Sequence, residues 1–301
     1  MESRGRHLSN SLSAEFLMKR IIIHGGCGSR EHADTPLAAY HDHLMPIIKD
    51  ACAYLENHDA IETAIFAARL LEDDPIFNAG TGSRVQQDGQ IRMSASFMES
   101  KTNKFSAVIN IQNVRFPSEV ARALSHQHHS VLSGEFATKY AYETCKMMPH
   151  NPMTNSRWEE YLQLKRGLTG TIGVVVLDEN GTICAITSTG GAGFEVPGRV
   201  GDTPTCAGNY ASSVAGISCT GIGEQIVNKA VAPKVHTRVK DGMSLDQAVR
   251  LSIEESEVDG DYVGLIAIDR LGNVQTGTTR IAQTLYAYFD GSDYHTFLEK
   301  L

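Results

Sequence analysis

The chain has 301 residues, with 27 Lys plus Arg against 35 Asp plus Glu, a formal net charge of −8, and 42% hydrophobic and 21% charged residues. This is the balance of a globule able to bury a core in one large or two modest domains, which excludes wholesale disorder, collagen-like and coiled-coil chains. The negative sign disfavours a broad nucleic-acid or anionic-membrane surface, and no apolar run approaches the roughly 18 to 20 residues that span a bilayer.

Residues 1–18 include Arg4 and Arg6 but no apolar h-region, so they read as a flexible tail rather than a secretory signal. Lys19 to Ile23 then reads as a buried strand stopped by the glycine turn at His24-Gly25-Gly26-Cys27-Gly28. Leu44, Ile47, Ile48, Ala51 and Leu55 fall at helical spacing, and Asp59-x-x-Glu62 opens a second helix through Leu71, closed by Pro75. Phe77 to Gly82 is too rich in Gly and Asn for a regular element. Strands are predicted at Ile91 to Phe97 and Phe105 to Ile111, and helices from Pro117 to about Leu124 and from about Gly134 to Met147.

Residues from about Pro149 to Gly170 lose apolar periodicity and read as a linker. Beyond it the chain is β-rich. A hairpin joins Thr171–Leu177 to Thr182–Ser188 through Asp178-Glu179-Asn180-Gly181, and later strands fall at Tyr262–Asp269, Asn273–Thr278 and Thr284–Phe289. Gly221 to His236 and Ser244 to Ser256 read as helices, the second with Ser244-x-x-Gln247 as its capping box. Sheets covered by helices imply a layered α/β or α+β architecture.

Gly26-x-Gly28 and Gly191-x-Gly193 lack the third glycine of a dinucleotide fingerprint, and there is no phosphate-binding P-loop or G-x-S-x-G elbow. The histidines at 41, 43, 126, 128 and 129 have no carboxylate-completed ligand set and read as helix-surface residues. Six scattered cysteines without a C-x-x-C pair argue against zinc clusters and a disulfide framework and suit reduced thiols in a cytosol.

Gly and Thr concentrate in three short segments, Gly170-Thr171-Ile172-Gly173, Ser188-Thr189-Gly190-Gly191 and Ser218-Cys219-Thr220-Gly221-Ile222-Gly223-Glu224, with Gly198-Arg199-Val200-Gly201-Asp202 between the last two. With the His24–Gly28 start and the Leu71–Gly82 loop, these motifs, in this order, resemble those of the plant-type L-asparaginase and isoaspartyl peptidase family of N-terminal-nucleophile hydrolases. The resemblance covers nearly the whole chain from Arg20 onward.

The resemblance implies an α+β fold, an αββα four-layer sandwich, as a single domain over residues 19–301. Self-cleavage between Gly170 and Thr171 would separate residues 19–170 from 171–301. A threonine hydroxyl is a weak nucleophile without a nearby base. The α-amine freed by cleavage, with a reference pKa of about 7.7 to 8.0, is such a base. Thr171 would then attack L-asparagine or a β-aspartyl dipeptide, with Thr189 beside it, Thr220 and Gly221 as oxyanion donors, Arg199 and Asp202 on the substrate's α-carboxylate and α-ammonium, and Asn78 and Gly223 lining the site. The carbonyls of Leu71, Glu72, Asp74, Phe77, Ala79 and Thr81 match a structural sodium turn, with no cofactor for catalysis.

It further implies a dimer of cleaved protomers, (αβ)₂, that acts on small molecules; the thiols add the expectation of a cytoplasmic protein, and the charge balance that of no nucleic-acid or membrane partner. Alternative readings are a glycosylasparaginase, a Thr-aspartase-like protease, or a catalytically silent binding protein of the same fold. Thr169 is a decoy threonine two residues upstream of Thr171, without the flanking glycine frame. The chain departs from the family pattern at Arg92 and Ser94, where relatives carry acidic residues, at Glu99-Ser100 and at Cys206. The expected effect is on strand packing, the pocket rim or selectivity rather than on the chemistry.

Overall fold

The computed structural model describes residues 19–29, 36–163 and 170–300. The expectations for residues 1–18 and for Thr169 lie outside them. In chain order the elements are β1 (Arg20–Ser29), α1 (Leu37–Leu55), α2 (Ala60–Asp73), β2 (Met93–Glu99), β3 (Ser106–Ile111), α3 (Pro117–Leu124), β4 (Val131–Ser133), α4 (Gly134–Glu143) and α5 (Asn155–Leu162). The second half supplies β5 (Ile172–Leu177), β6 (Ile183–Thr189), β7 (Asn209–Ala211), β8 (Ala215–Gly221), α6 (Gly223–Lys229), α7 (Val231–Lys240), α8 (Leu245–Val258), β9 (Val263–Asp269), β10 (Val274–Thr278), β11 (Ala282–Phe289) and β12 (Tyr294–Thr296). The fold is mixed α+β, as expected.

Eight strands form one sheet in the order β12-β11-β1-β5-β6-β2-β3-β4, and four form a second in the order β10-β9-β8-β7. Helices α1, α2 and α3 pack on the larger sheet, α7 and α8 pack on the smaller, and β1, β5 and β6 meet β8 and β9 between the sheets. Strands covered on both faces have no solvent side to alternate toward, so β5, β6 and β9 are buried at every position.

β8 uses its two-residue period differently. Ala215, Ile217 and Cys219 join the apolar cluster under α6 to α8. Gly216 instead faces Val175 and Ile183 of the large sheet, and Ser218 reaches His24 and Thr187. A strand that is apolar on one face and small or polar on the other thus carries chemistry into the seam between the sheets.

The local caps follow the sequence. Asp59 accepts from Glu62 N–H at the start of α2, and Ser244 with Gln247 closes a full capping box on α8. Other expectations need correction. β1 does not stop at the glycines but runs to Ser29 through a register shift between His24 and Cys27, which glycines can absorb as a bulge. The segment read as a linker contains α5, whose Arg157 side chain is buried and hydrogen-bonds the carbonyl oxygens of Gly82, Ile76 and Phe77. The helix expected over 221–236 is two helices broken at Ala230, which takes a left-handed conformation (φ 48°). Short β4, β7 and β12, and β8 itself, were not anticipated.

Gly216 marks a close sheet-to-sheet contact, since a Cβ there would lie 2.6 Å from Ile183 Cγ2 and 2.8 Å from Val175 Cγ1. Gly216→Val should therefore overpack the seam and destabilise the protein by about 1–3 kcal/mol, read as a lower melting temperature by calorimetry.

Candidate active site

The glycine- and threonine-rich segments lie at strand ends. Thr171 precedes β5, Thr189 ends β6, and Thr220 is the penultimate residue of β8. β5 and β6 pair antiparallel, with Ile172 opposite Ser188, so Thr171 and Thr189 come to the same end of the sheet. The Thr171 hydroxyl donates to Thr189 Oγ1 at 3.0 Å, and Gly191 N–H donates to that same oxygen at 3.1 Å.

Gly170, which precedes Thr171, has φ +132°, and a Cβ there would lie 2.3 Å from Asn78 Cβ. Only glycine fits that backbone and that space. Its carbonyl accepts the Asn78 N–H at 2.9 Å. Asn78 also accepts Gly190 N–H at its own carbonyl (2.8 Å), donates from Nδ2 to Gly191 O (2.6 Å) and accepts Arg84 N–H at Oδ1 (2.8 Å). One loop residue thereby holds the Gly170–Thr171 bond against the loop that follows Thr189.

Behind Thr171 lies a buried polar chain that sequence reasoning missed. His24 hydrogen-bonds the Thr171 backbone and sits 3.1 Å from Ser218 Oγ, which lies 2.6 Å from Thr187 Oγ1, which in turn donates to Asn209 Oδ1 at 3.2 Å. Gly26 N–H donates to His24 Nδ1, so Nε2 carries the ring proton. Burial pushes His24 down to about 3, so the ring is neutral and holds Thr171 in place without supplying charge.

The other expected residues form a second group. Arg199 pairs through Nε and Nη2 with Glu224 (2.8 and 2.6 Å), and its Nη1 lies 3.6 Å from Glu195. It does not pair with Asp202, although Gly223 packs against both the Arg199 guanidinium and the Asp202 backbone. Asp202 is buried, and its Oδ2 has no hydrogen-bond partner. Burial pushes its carboxyl up to about 7. Thr220 Oγ1 is likewise buried and unpartnered, and Gly221 beside it has φ +133°. Buried polar atoms are rarely left unpaired, so this carboxylate oxygen and this hydroxyl hold hydrogen-bonding capacity that the described residues do not use.

The Leu71–Thr81 turn runs beneath this site. Glu72 is fully buried and accepts Ser188 Oγ–H (2.7 Å), Ser118 Oγ–H (2.7 Å) and Ser118 N–H (3.0 Å), tying α2 to β6 next to Thr189. Burial pushes its carboxyl up to about 7. Among the described residues no group of three or more His, Cys, Asp or Glu could hold a metal ion, so the expected sodium turn would have to rely on carbonyl oxygens. All six cysteines are free; Cys206 is exposed on the turn after Asp202.

A family profile described as "Asparaginase" matches residues 17–169 and 165–299. An isoaspartyl peptidase/L-asparaginase of Nostoc sp. is 39% identical over 93% of this chain and 94% of its own length. This chain belongs to the asparaginase family. A plant-type L-asparaginase of Pyrococcus horikoshii is 34% identical over 85% of this chain and 92% of its own length. An isoaspartyl peptidase of Escherichia coli is 34% identical over 84% and 88%. Within this asparaginase-family chain, Glu195, Glu224 and His24 are the site residues that motif reading did not single out, and Glu72 was expected through its carbonyl rather than its side chain. Glu224 and His24 lay inside quoted motifs, whereas nothing local marked Glu195.

Asp202 illustrates the cost of such a site. Its folded pKa lies above the unfolded value of about 3.9, so its contribution to stability is fully present below pH 4, is lost as pH rises toward 7 and changes little above that. Asp202→Asn should consequently melt above the parent at pH 8 and near it at pH 4, by calorimetry at the two pH values.

Proposed function

We propose that this asparaginase-family chain is a self-processing threonine amidohydrolase that converts L-asparagine to L-aspartate and ammonia and cleaves β-aspartyl dipeptides. The observation that carries the reading is the Thr171 hydroxyl on Thr189, next to a Gly170 carbonyl already held by the Asn78 N–H. Its architecture is inferred to be the αββα sandwich of N-terminal-nucleophile hydrolases, one domain over residues 19–301 cut into 19–170 and 171–301.

In processing, Thr171 Oγ adds to the Gly170 carbonyl carbon and the developing oxyanion stays on the Asn78 N–H, a donor already aimed at it. The C–N bond breaks, the nitrogen takes the proton and the acyl group passes to Oγ. Water then hydrolyses the ester, leaving a carboxylate on Gly170 and a free α-amine on Thr171. In turnover that amine takes the proton from Oγ as it attacks the side-chain amide carbon of asparagine. Thr189 fixes the hydroxyl's direction. Thr220 Oγ–H and Gly221 N–H receive the oxyanion, each such donor contributing on the order of 3 kcal/mol. Ammonia or an amino acid leaves with the proton, and water releases aspartate from the β-aspartyl ester.

Arg199 binds the α-carboxylate with a planar fork, and Asp202, with its unpartnered Oδ2, binds the α-ammonium beside Gly223. The Leu71–Thr81 turn is proposed to hold a structural sodium ion on the carbonyls of Leu71, Glu72, Asp74, Phe77, Ala79 and Thr81. In support, a Cβ on Gly80 would lie 2.2 Å from Glu72 O and one on Gly82 2.9 Å from Phe77 O, so carbonyl oxygens crowd the turn where side chains are absent. Such oxygens suit a hard cation, which would stiffen the loop that carries Asn78. Free thiols, one of them exposed, favour the cytoplasm, and the assembly inferred is a dimer of cleaved protomers, (αβ)₂.

Purified protein on a denaturing gel should give two bands summing to 32.8 kDa, the smaller beginning Thr-Ile-Gly-Val. Thr171→Ala should give one band and release no ammonia from L-asparagine; turnover by that variant would overturn the assignment. Because protonated Asp202 cannot pair an ammonium, KM for L-asparagine should rise as pH falls below about 7, in steady-state kinetics between pH 5 and 8.

A further inference from the structure

Arg92 stands where the family resemblance places an acidic residue, and the structure wires it to the substrate site. Arg92 Nη1 donates to Gln86 Oε1 at 2.7 Å while its guanidinium also pairs with Asp88. Gln86 is buried, and Gly198 N–H donates to that same Oε1 at 3.3 Å. Two donors on the oxygen fix the orientation of the amide, since a flipped group would set N–H against Arg92 and oxygen against the next carboxylate. Gln86 Nε2 therefore donates to Glu195 Oε1 at 3.0 Å.

Glu195 is buried and faces two ways. Its Oε2 accepts Ala192 N–H at 2.5 Å and lies 3.6 Å from Arg199 Nη1. Its Oε1 packs so closely on Gly191 that a Cβ there would lie 2.0 Å away. Gly191 is the residue whose N–H donates to Thr189 Oγ1 and whose carbonyl accepts from Asn78. One carboxylate thus touches both the backbone beside the nucleophile and the cation assigned to the substrate's far end. On the opposite side Glu224 is more than half exposed and holds only the Nε–Nη2 edge of Arg199. Without Glu195, the guanidinium would be free to turn on that outer contact.

We propose that Arg92, Gln86 and Glu195 form a positioning relay that fixes Arg199 relative to the Thr189–Gly191 loop and so sets the length of substrate the site accepts. The inference rests on the reading of Arg199 as the carboxylate-binding residue. A fixed nucleophile-to-cation separation discriminates asparagine from glutamine, which is one methylene longer. A single methylene is ordinarily worth roughly 10- to 200-fold in kcat/KM.

The test uses the full chain with Arg92→Ala, a partly exposed position. Self-cleavage and kcat for L-asparagine should match the parent, KM should rise about three- to tenfold, as for loss of one buried hydrogen bond, and the preference for L-asparagine over L-glutamine should narrow. Gln86→Leu should do the same, Glu195→Gln should raise KM and narrow the preference, and Arg92→Lys should recover part of the KM. Unchanged KM and unchanged preference in all three variants would overturn the relay. So would parallel losses of cleavage, kcat and melting temperature, which belong to a purely structural role. Arg199→Leu separates the two levels. It should raise KM by roughly 100-fold, as expected when one partner of a buried charge pair is truncated. If it does not, the reading of Arg199 falls and the relay with it. If it does while the relay variants match the parent, the relay alone falls.

Discussion

Asn78 commits every polar group it has to the ends of other segments. Its N–H goes to Gly170, its carbonyl to Gly190, its amide nitrogen to Gly191 and its amide oxygen to Arg84. A buried loop with four such bonds has one place to sit, because any shift leaves donors and acceptors unpaired at about 1–3 kcal/mol each. The glycines follow from this constraint, since Gly170 and Gly190 approach Asn78 too closely to carry a side chain. So does the geometry at Thr171, whose hydroxyl direction depends on Thr189 and thus on the same glycine loop. Arg157, reaching from α5 to the carbonyls of Gly82, Ile76 and Phe77, secures the Asn78 loop from behind.

Charge at the site is arranged against the interest of the fold. Among the described residues Asp202 and Glu72 are buried carboxylates in no ion pair, and burial raises both to about 7. Glu72 is compensated by three donors, one of them at the start of a helix, where the dipole favours negative charge. Asp202 keeps an oxygen unpaired. The difference separates a carboxylate that fastens elements together from one with bonding capacity to spare, the kind of local conflict with stability that functional sites display.

Much of this was legible in the sequence. Continuous apolar runs marked the doubly covered strands, Asp59 and Ser244 marked helix starts, and the Thr-Gly motifs located Thr171, Thr189 and Thr220. What escaped had physical reasons. Glycine in β1 argued for a turn, yet the ladder continued around a bulge. The glycines at 221 and 223 hide the strand that carries Thr220, since β8 runs to Gly221. Ala230 in a left-handed conformation has no local signature for breaking a helix. The networks were the least visible. His24 and Ser218 are 194 positions apart, and Gln86 and Glu195 are 109 apart, so no local pattern could join them.

The strand order of the large sheet alternates between the two halves of the chain. β1 from the first half lies between β11 and β5 of the second, and β6 of the second lies against β2 of the first. The halves therefore share three hydrogen-bonded seams in the large sheet, which neither half completes alone, whereas the four-stranded sheet belongs wholly to the second half. The strand pairing that joins the halves does not run through the Gly170–Thr171 link. Were the backbone opened at that point, as proposed, a new terminus would form while the two parts stayed paired along those seams.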